Sequence, residues 1–211
     1  MSPFNRYAKE YDLWYEKNKY IYHSELSAIR FLMPKRKKGL EVGVGTGRFA
    51  GPLGIKYGVE PSENMSVIAR KKGIKVLNGT AEKLSFENNI FDFVLFVTTL
   101  CFVKDVRKAL SEAVRVLKKN GAIVIGMIDR GSSLGKRYYN KQKSSKYFKA
   151  AKMYTAKEII DILEPAGFHK FTVTQTIFDK SNRFHEFRPG YGEGLFVAIK
   201  AMKNSKGGTK E

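Results

Sequence analysis

The chain has 211 residues, enough for one domain with a hydrophobic core or at most two small ones. Hydrophobic residues make up 43 % of it, and no segment approaches the roughly 18 uninterrupted apolar residues of a membrane span. The N-terminal stretch MSPFNRYAKEYDLWY carries early charges and no apolar core, so we expect no signal peptide. The single cysteine, Cys101, cannot form an internal disulfide, which favours a cytoplasmic protein.

The charge of the chain is unusual. Lys and Arg number 39 against 20 acidic residues, a net charge of +19. A basic surface attracts phosphate polymers, so weak nucleic-acid binding is one expectation. Lysine-rich, solvated helix faces, as in proteins that work at high temperature, would give the same composition. The charge alone does not choose between these interpretations.

Apolar periodicity and turn signals predict helices and strands that alternate along the chain. The predicted helices are 5–19, 22–33, 61–73, 105–119 and a segment that begins at Thr155. The predicted strands are 38–43, 54–61, 74–79, 91–99, 121–128, 171–178 and 194–202. Helix caps are predicted at Ser62, at Asp105 and at Thr155, the last with Glu158 in a capping box.

This alternation predicts an α/β fold, a Rossmann-like doubly wound and mostly parallel sheet with helices on both faces. We expect a single domain over 1–204, with a helical lid at 1–33, a substrate-side insert at 129–153 and a flexible tail at 205–211. In such sheets, ligands bind beyond the carboxyl ends of the strands. The loops predicted to meet at that rim are 43–48, 60–65, 79–86 and 98–104.

The first of these loops belongs to the stretch LEVGVGTGRF, which places glycines at positions 43, 45 and 47. A dinucleotide fingerprint would need a glycine where Arg48 stands, and no GK[ST] follows for a P-loop. Glu41, on the strand before the turn, suits a ligand that carries positive charge and would repel a pyrophosphate. Glu60, at the end of the second strand, can accept hydrogen bonds from both hydroxyls of a ribose.

Four segments in register resemble the class I S-adenosylmethionine-dependent methyltransferases, in particular the small type 11 group that includes ubiquinone and menaquinone biosynthesis methyltransferases. They span about residues 38–128 and are LEVGVGTGRF, VEPSENM, NGTAEKLSFENNIFDFVLF and EAVRVLKKNGAIVIG. The resemblance implies S-adenosyl-L-methionine as cofactor, a seven-stranded sheet whose last strand is antiparallel, and in-line transfer of a methyl group. It speaks against binding of NAD.

The resemblance also implies a set of cofactor-binding residues, namely Glu41, Gly43, Gly45, Gly47, Glu60, Pro61, Met65, Thr80, Ala81, Glu82 and Thr98. The chain departs from the family pattern at two points. Thr80 stands where the family often has an aspartate for the adenine amino group, so its hydroxyl or Glu82 would have to replace that contact. The stretch FAGPLGI is short and contains Gly51-Pro52, so we expect the first cofactor helix to be reduced to about two turns.

Segments outside these motifs should select a small-molecule methyl acceptor. The substrate-side candidates are Tyr11, Trp14, Phe102, Tyr138, Tyr139 and His185. The spacing of aromatic residues in the N-terminal helix also fits simple packing, while the resemblance implies a lid over the cofactor. His185 is interpreted as a surface histidine rather than a general base, and Cys101 as an inert, buried thiol. No catalytic residue is assigned, and no spacing suggests a metal site.

The insert leaves two functions open. Residues 130–152 contain eight basic residues and no acidic one, interleaved with aromatic residues. That composition is typical of surfaces that follow phosphates and stack bases, and equally of an amphipathic segment that closes a pocket. We favour the pocket-closing segment, with an RNA or protein methyltransferase as the alternative. A non-catalytic, cofactor-binding partner subunit is a third interpretation.

Overall fold

The structure is a computed structural model that describes residues 2–35 and 38–204. Its helices are α1 Pro3–Arg6, α2 Ala8–Lys17, α3 Lys19–Leu32, α4 Ala50–Leu53, α5 Glu63–Lys71, α6 Val106–Val116, α7 Ser133–Asn140 and α8 Ala156–Leu163. Its strands are β1 Gly39–Val42, β2 Tyr57–Val59, β3 Lys75–Leu77, β4 Phe91–Val97, β5 Leu117–Ile128, β6 Phe168–Thr176, β7 Arg188–Pro189 and β8 Phe196–Lys203. The tail predicted at 205–211 lies outside the described residues.

The strands form one sheet in the order β3-β2-β1-β4-β5-β8-β6-β7. The first five strands of that order are joined by parallel pairs, while β8 runs antiparallel to both β5 and β6. This confirms the predicted α/β fold and its antiparallel last strand. No helix in the described parts of the chain has the length and hydrophobicity needed to cross a bilayer.

The predicted number of seven strands is wrong, because the sheet has eight. The additional strand is β7, two residues that pair with Gln175 and Thr174 at the edge of the sheet. Two residues give no periodic signal, and a proline argues against a central strand while an edge position tolerates it. The strand therefore exists only because the preceding turn returns the chain alongside β6.

The core consists of two apolar layers, one on each face of the sheet. One layer packs β1, β4 and β5 against α6 and α8 through residues such as Leu110 and Ile159. The other packs the opposite face against α3, α4 and α5 through residues such as Ile29 and Ala69. Two covered faces explain why the central strands read as continuous apolar runs rather than alternating ones.

The three predicted helix caps are confirmed. Ser62 Oγ accepts the backbone N–H of Met65 at 3.4 Å, and Asp105 Oδ1 accepts that of Lys108 at 3.0 Å. In the capping box, Glu158 N–H donates to Thr155 Oγ1 at 3.1 Å, and Thr155 N–H donates to Glu158 Oε2 at 2.6 Å.

Other helix boundaries differ from the predicted ones. The helix predicted over 5–19 is divided at Tyr7 into α1 and α2, and α4 is a single turn rather than about two. Gly54 ends α4 in the left-handed conformation, at φ +73°, and so limits its length. The insert contains a helix that the sequence did not indicate, α7, capped by Ser132.

Candidate functional site

A pocket opens at the carboxyl ends of β1, β2 and β4. It is lined by Phe4, Tyr11, Gly43, Gly45, Glu60, Pro61, Met65, Val97, Thr98, Thr99, Phe102 and Phe148. Six of the predicted cofactor-binding residues and two of the substrate-side candidates are therefore brought together in one cavity. The lining residues as a whole come from the loops that the topology places on one rim, together with α1, α2 and the insert.

The backbone of the glycine turn has a conformation and surroundings that disfavour side chains at its three glycines. Gly43 and Gly45 both have positive φ angles, +70° and +53°. A Cβ on Gly43 would lie 2.4 Å from Thr99 Cγ2, whereas Gly45 faces open space. Gly47 is different, because a Cβ there would lie 2.4 Å from Ile74 Cδ1. Gly43 thus allows the close approach of Thr99, Gly45 leaves room for a ligand, and Gly47 allows close packing against α5 and the residue before β3.

Glu60 organises the turn from the end of β2. Its Oε2 accepts the backbone N–H of Gly45 at 2.9 Å, and its Oε1 accepts that of Ser62 at 2.9 Å. Burial raises the pKa of Glu60, and these two hydrogen bonds oppose that effect. Because each carboxylate oxygen can accept more than one hydrogen bond, Glu60 retains capacity for ribose hydroxyls at the pocket.

Glu41 is a buried carboxylate behind the same turn, with 1 % of its surface exposed. Burial raises its pKa well above the usual range, and the backbone N–H of Ala50 offsets only part of this. Its Oε2 is completely buried without a hydrogen-bond partner among the described residues. A cationic ligand would stabilise this carboxylate, so the site fits a positively charged cofactor better than a pyrophosphate.

The adenine-side candidates line a second cavity that shares Gly43 and Pro61 with the first. Thr80, Ala81 and Glu82 lie at its wall. Glu82 Oε1 accepts the backbone N–H of Lys104 at 2.9 Å, so this carboxylate also fixes the loop that follows β4. The arrangement offers a place for a base beside the pocket that Glu60 faces.

Aromatic side chains from α1, α2 and the insert cover the pocket. The Phe4 ring lies 4.9 Å from Phe102 and stacks on Tyr147 at 5.6 Å, measured between ring centroids. Tyr11 meets the Tyr147 ring edge-on at 5.3 Å. The insert and the N-terminal segment thus meet directly above the rim, which is the position expected of a lid.

Three of the substrate-side candidates, Tyr138, Tyr139 and Trp14, lie outside the cofactor pocket. Tyr138 packs edge-on against Phe148 at 5.7 Å and lines a neighbouring cavity. Tyr139 is 45 % exposed and lines an outer groove, and Trp14 of α2 is 43 % exposed. Neither Tyr139 nor Trp14 is among the residues that line the cofactor pocket.

His185 is buried, with 5 % of its surface exposed, so its interpretation as a surface histidine is wrong. Its backbone N–H donates to Ser24 Oγ at 2.8 Å, and its backbone carbonyl accepts the Thr176 hydroxyl at 2.8 Å. Its Nε2 lies 3.3 Å from the carbonyl oxygen of Ser181. These contacts tie the turn before β8 to α3 and β6, a long-range arrangement that no local pattern reveals.

Cys101 follows β4 and lines a narrow cavity that shares Thr98, Thr99 and Phe148 with the pocket at the glycine turn. Burial raises the pKa of its thiol to about 12, and Sγ lies 3.3 Å from the carbonyl oxygen of Thr98. The thiol therefore stays protonated, as expected of an inert cysteine. Among the described residues, no three acidic, histidine or cysteine side chains are grouped so that they could hold a metal ion.

Phe4, Thr99 and Phe148 line the pocket but are absent from the predicted site. Phe148 is one of the aromatic residues of the insert, whose composition is evident in the sequence and whose position is not. Thr99 follows the predicted Thr98 directly, and Phe4 is the first residue of the aromatic spacing that continues with Tyr7, Tyr11 and Tyr15. Only the tertiary arrangement shows that all three face the same cavity.

The methyltransferase-domain family matches residues 40–125. Among solved structures, a S-adenosylmethionine-dependent methyltransferase of Thermotoga maritima, described as a possible histamine N-methyltransferase, is 46 % identical. The alignment covers 96 % of this chain and 99 % of that one, with a TM-score of 0.93.

Two curated relatives are also similar to this chain. An uncharacterised protein of Methanocaldococcus jannaschii is 48 % identical over 96 % of this chain and 100 % of its own length. A demethylmenaquinone methyltransferase of Staphylococcus aureus is 37 % identical over a shorter region, 43 % of this chain and 42 % of that protein. The chain belongs to the class I S-adenosylmethionine-dependent methyltransferases, in the type 11 group, and is an enzyme with S-adenosylmethionine as its cofactor.

Proposed function

We propose that the protein transfers the methyl group to a small molecule by in-line displacement. The observation that carries this proposal is the aromatic cover of the pocket by Phe4, Tyr11 and Tyr147. A covered cavity excludes water and holds a small acceptor in one orientation, but it leaves little room for a polymer. Lys146 reinforces the cover, because its Nζ lies 2.7 Å from Glu10 Oε1 and 4.2 Å from the centre of the Tyr7 ring.

The residues of the pocket suit the binding of the donor. Glu60 and the glycine turn would hold the nucleoside, and Glu41 would stabilise the positive charge from behind the turn. When bound, S-adenosylmethionine supplies a methyl group on a positively charged sulfur, which is already activated for displacement. The protein itself must orient the acceptor, exclude water and accept a proton where the acceptor has to lose one.

The Thermotoga relative is described as a possible histamine N-methyltransferase, which indicates a nitrogen acceptor in that protein. For this chain, the acceptor class is tested by incubating the protein with S-adenosylmethionine and separate panels of small amines, alcohols and carboxylic acids. Formation of S-adenosylhomocysteine with a small molecule, and none with RNA or protein, is the expected result. Methylation of RNA or protein alone would contradict the proposal.

A second candidate, methylation of RNA, is favoured by one observation. An open groove outside the lid is lined by Arg107, Arg130, Lys143, Lys149 and Lys152, together with Tyr139; we call it the basic groove. Such a surface can follow a phosphate backbone. Against this candidate, Glu158 and Asp161 line the same groove, and Glu158 pairs with Arg130 at 2.8 Å.

A further inference from the structure

The cavity that Tyr138 lines is formed by α3, α7 and the chain segments that follow β6 and precede β8; we call it the α7 cavity. Helix α7 and its C-terminal cap contribute Leu134, Arg137, Tyr138 and Lys141 to the lining. These four residues recur at intervals of three and four positions, so they lie on one face of the helix. No residue described in the structure lines both this cavity and the cofactor pocket, so the two cavities are separate.

One part of the α7 cavity has an apolar wall. It consists of the ring of Tyr138 and of four aliphatic side chains from separate segments, Ile21, Leu134, Ile177 and Leu195. The Leu195 N–H donates to the Ile177 carbonyl oxygen at 2.9 Å, which joins two of these segments. A ligand with an apolar body would remove this wall from water, and burial of apolar surface is the main favourable term in most association.

The backbone at this wall is strained. Ile177 follows β6 directly and has a φ angle of +63°, in the left-handed region. A β-branched residue rarely adopts that conformation, which persists only where the surrounding structure imposes it. Strained residues of this kind cluster at ligand sites, and Ile177 lines the α7 cavity. The strain therefore supports a binding role for the cavity.

Three cations lie around the apolar wall. Arg137 and Lys141 come from the α7 face, and Lys180 comes from the segment after β6. Within the part of the chain that the structure describes, none of these three side chains forms an ion pair or a hydrogen bond. Asp179 also lines the cavity, but its Oδ2 lies 2.6 Å from Arg183 Nη2, so Arg183 matches its charge. The α7 cavity therefore keeps an excess of positive charge.

Cations beside an apolar wall are complementary to an anion that is carried on an apolar body. A guanidinium group can bind a carboxylate or a phosphate through two parallel hydrogen bonds, and ammonium groups add attraction by their charge. A cationic ligand would be repelled. A simple inorganic anion would leave the apolar wall exposed to water.

We propose that the α7 cavity is a second ligand site, which binds a small organic anion with an apolar body beside the cofactor pocket. The Tyr138 ring of this cavity packs against the Phe148 ring at 5.7 Å, and Phe148 lines the cofactor pocket. One pair of rings thus separates the two sites. The inference goes beyond the proposed function and does not depend on the identity of the methyl acceptor.

The test compares probes that share an apolar body and differ in charge. The anions are 4-phenylbutyrate and 4-phenylbutyl phosphate, the neutral probe is 4-phenylbutan-1-ol, and acetate is the anion without the body. Calorimetry uses the full chain saturated with S-adenosylhomocysteine, at a salt concentration of about 0.15 M that screens exposed charges. We expect at least one phenylbutyl anion to bind about tenfold more tightly than the alcohol and than acetate.

Variants then assign the preference for anions to the α7 cavity. The double variant Arg137→Gln, Lys141→Gln should bind the anion no more tightly than the alcohol, while its affinity for S-adenosylhomocysteine stays unchanged. The control is Lys56→Gln, Lys71→Gln, which removes the same charge from exposed positions elsewhere and should behave like the parent protein. Thermal unfolding identifies loss of folding in the first double variant. In that case Lys180→Gln decides, because it changes an exposed residue outside α7 and should weaken binding of the anion alone.

Three outcomes would overturn the inference. Equal binding of the anions and the alcohol would remove the role of charge, and equal binding of acetate would remove the role of the apolar wall. An equal loss in both double variants would assign the binding to the overall charge. Competition between the anion and S-adenosylhomocysteine would place the anion in the cofactor pocket and refute a second site. Because these measurements involve no turnover, their result is independent of the proposed function.

Discussion

Arg48 binds Asp12 through two parallel hydrogen bonds, from Nε to Oδ1 at 2.7 Å and from Nη2 to Oδ2 at 2.6 Å. Lys72 Nζ adds a third contact to Asp12 Oδ1 at 2.7 Å. Asp12 belongs to α2, whereas Arg48 follows the glycine turn and Lys72 ends α5. Helix α2 is therefore fixed by a partly buried ion pair to the elements that shape the cofactor pocket.

Removing the charge of Asp12 should loosen the lid. Asp12→Asn leaves Arg48 without its planar partner, and bidentate pairs of this kind are among the stronger hydrogen bonds in proteins. We expect the free energy of unfolding to fall by about 1.5–3 kcal/mol and S-adenosylhomocysteine to dissociate faster. Chemical denaturation and stopped-flow release measure the two effects.

The matched control is Asp161→Asn, which breaks an exposed pair with Lys157 on α8. Such surface pairs contribute about 0.2–1 kcal/mol, and this one lies away from the cofactor. If both variants release the cofactor at the same rate as the parent protein, the Asp12 pair has no role in closing the pocket.

The same pair predicts how stability depends on pH. Burial alone would raise the pKa of Asp12, but hydrogen bonds from Arg48 and Lys72 outweigh it and lower the pKa from 3.8 to about 2. The stabilisation is therefore complete above about pH 4 and is lost as the pH falls toward 2, by about 2 kcal/mol. Urea unfolding of the parent protein and Asp12→Asn should show their stabilities converging in this interval. A constant difference down to pH 2 would refute the assignment.

Glu60→Ala should weaken binding of S-adenosylmethionine by about 1.5–3 kcal/mol, the range for hydrogen bonds to a charged group. The structure adds a second reason, because Glu60 also accepts the N–H of Gly45 and so shapes the glycine turn. Thr80→Ala should have a smaller effect, about 1 kcal/mol, since it removes one neutral hydrogen bond.

Calorimetry on the two variants and on Glu63→Gln, an exposed change on α5, measures these affinities. Glu63→Gln should bind the cofactor like the parent protein. An unchanged dissociation constant in Glu60→Ala would show that this carboxylate only supports the loop.

The elements between about residues 38 and 128 could be predicted because each is indicated by residues that are close together in the sequence. Apolar runs define β1 and β4, and Ser62 and Asp105 mark helix starts within three residues of the groups they cap. Four such segments in order were sufficient for the fold, the cofactor and the rim. The edge strand β7 could not be predicted, since two residues carry no periodicity.

The residues that close the pocket depend on contacts between distant segments. Phe4 meets Tyr147 across more than 140 positions of the chain, and His185 donates to Ser24 across 161. In the sequence, Arg48 is only a departure from the dinucleotide fingerprint, and nothing links it to Asp12.

The last prediction separates the basic groove from the lid. Lys146 of the insert pairs with Glu10 of α2 at the cover of the pocket, whereas Lys143, Lys149 and Lys152 line the groove. If these lysines bind phosphates, replacing all three by alanine should reduce the salt dependence of RNA binding by about 0.7 for each phosphate that they neutralise. Turnover of a small acceptor should stay unchanged, because no groove lysine lines the cofactor pocket.

The control replaces the exposed residues Lys56, Lys71 and Lys75, which carry the same total charge near the opposite edge of the sheet. Filter binding at several salt concentrations should show weak RNA binding by the parent protein, and similar slopes for both triple variants if the attraction comes from the overall charge of +19. A slope reduced only in the groove variant would assign the weak binding to the groove.

In contrast, Tyr138→Ala should impair turnover of the small acceptor and leave RNA binding unchanged, since its ring packs against Phe148 of the insert. Tight, sequence-selective RNA binding that the groove variant abolishes would establish RNA as the substrate in place of a small molecule.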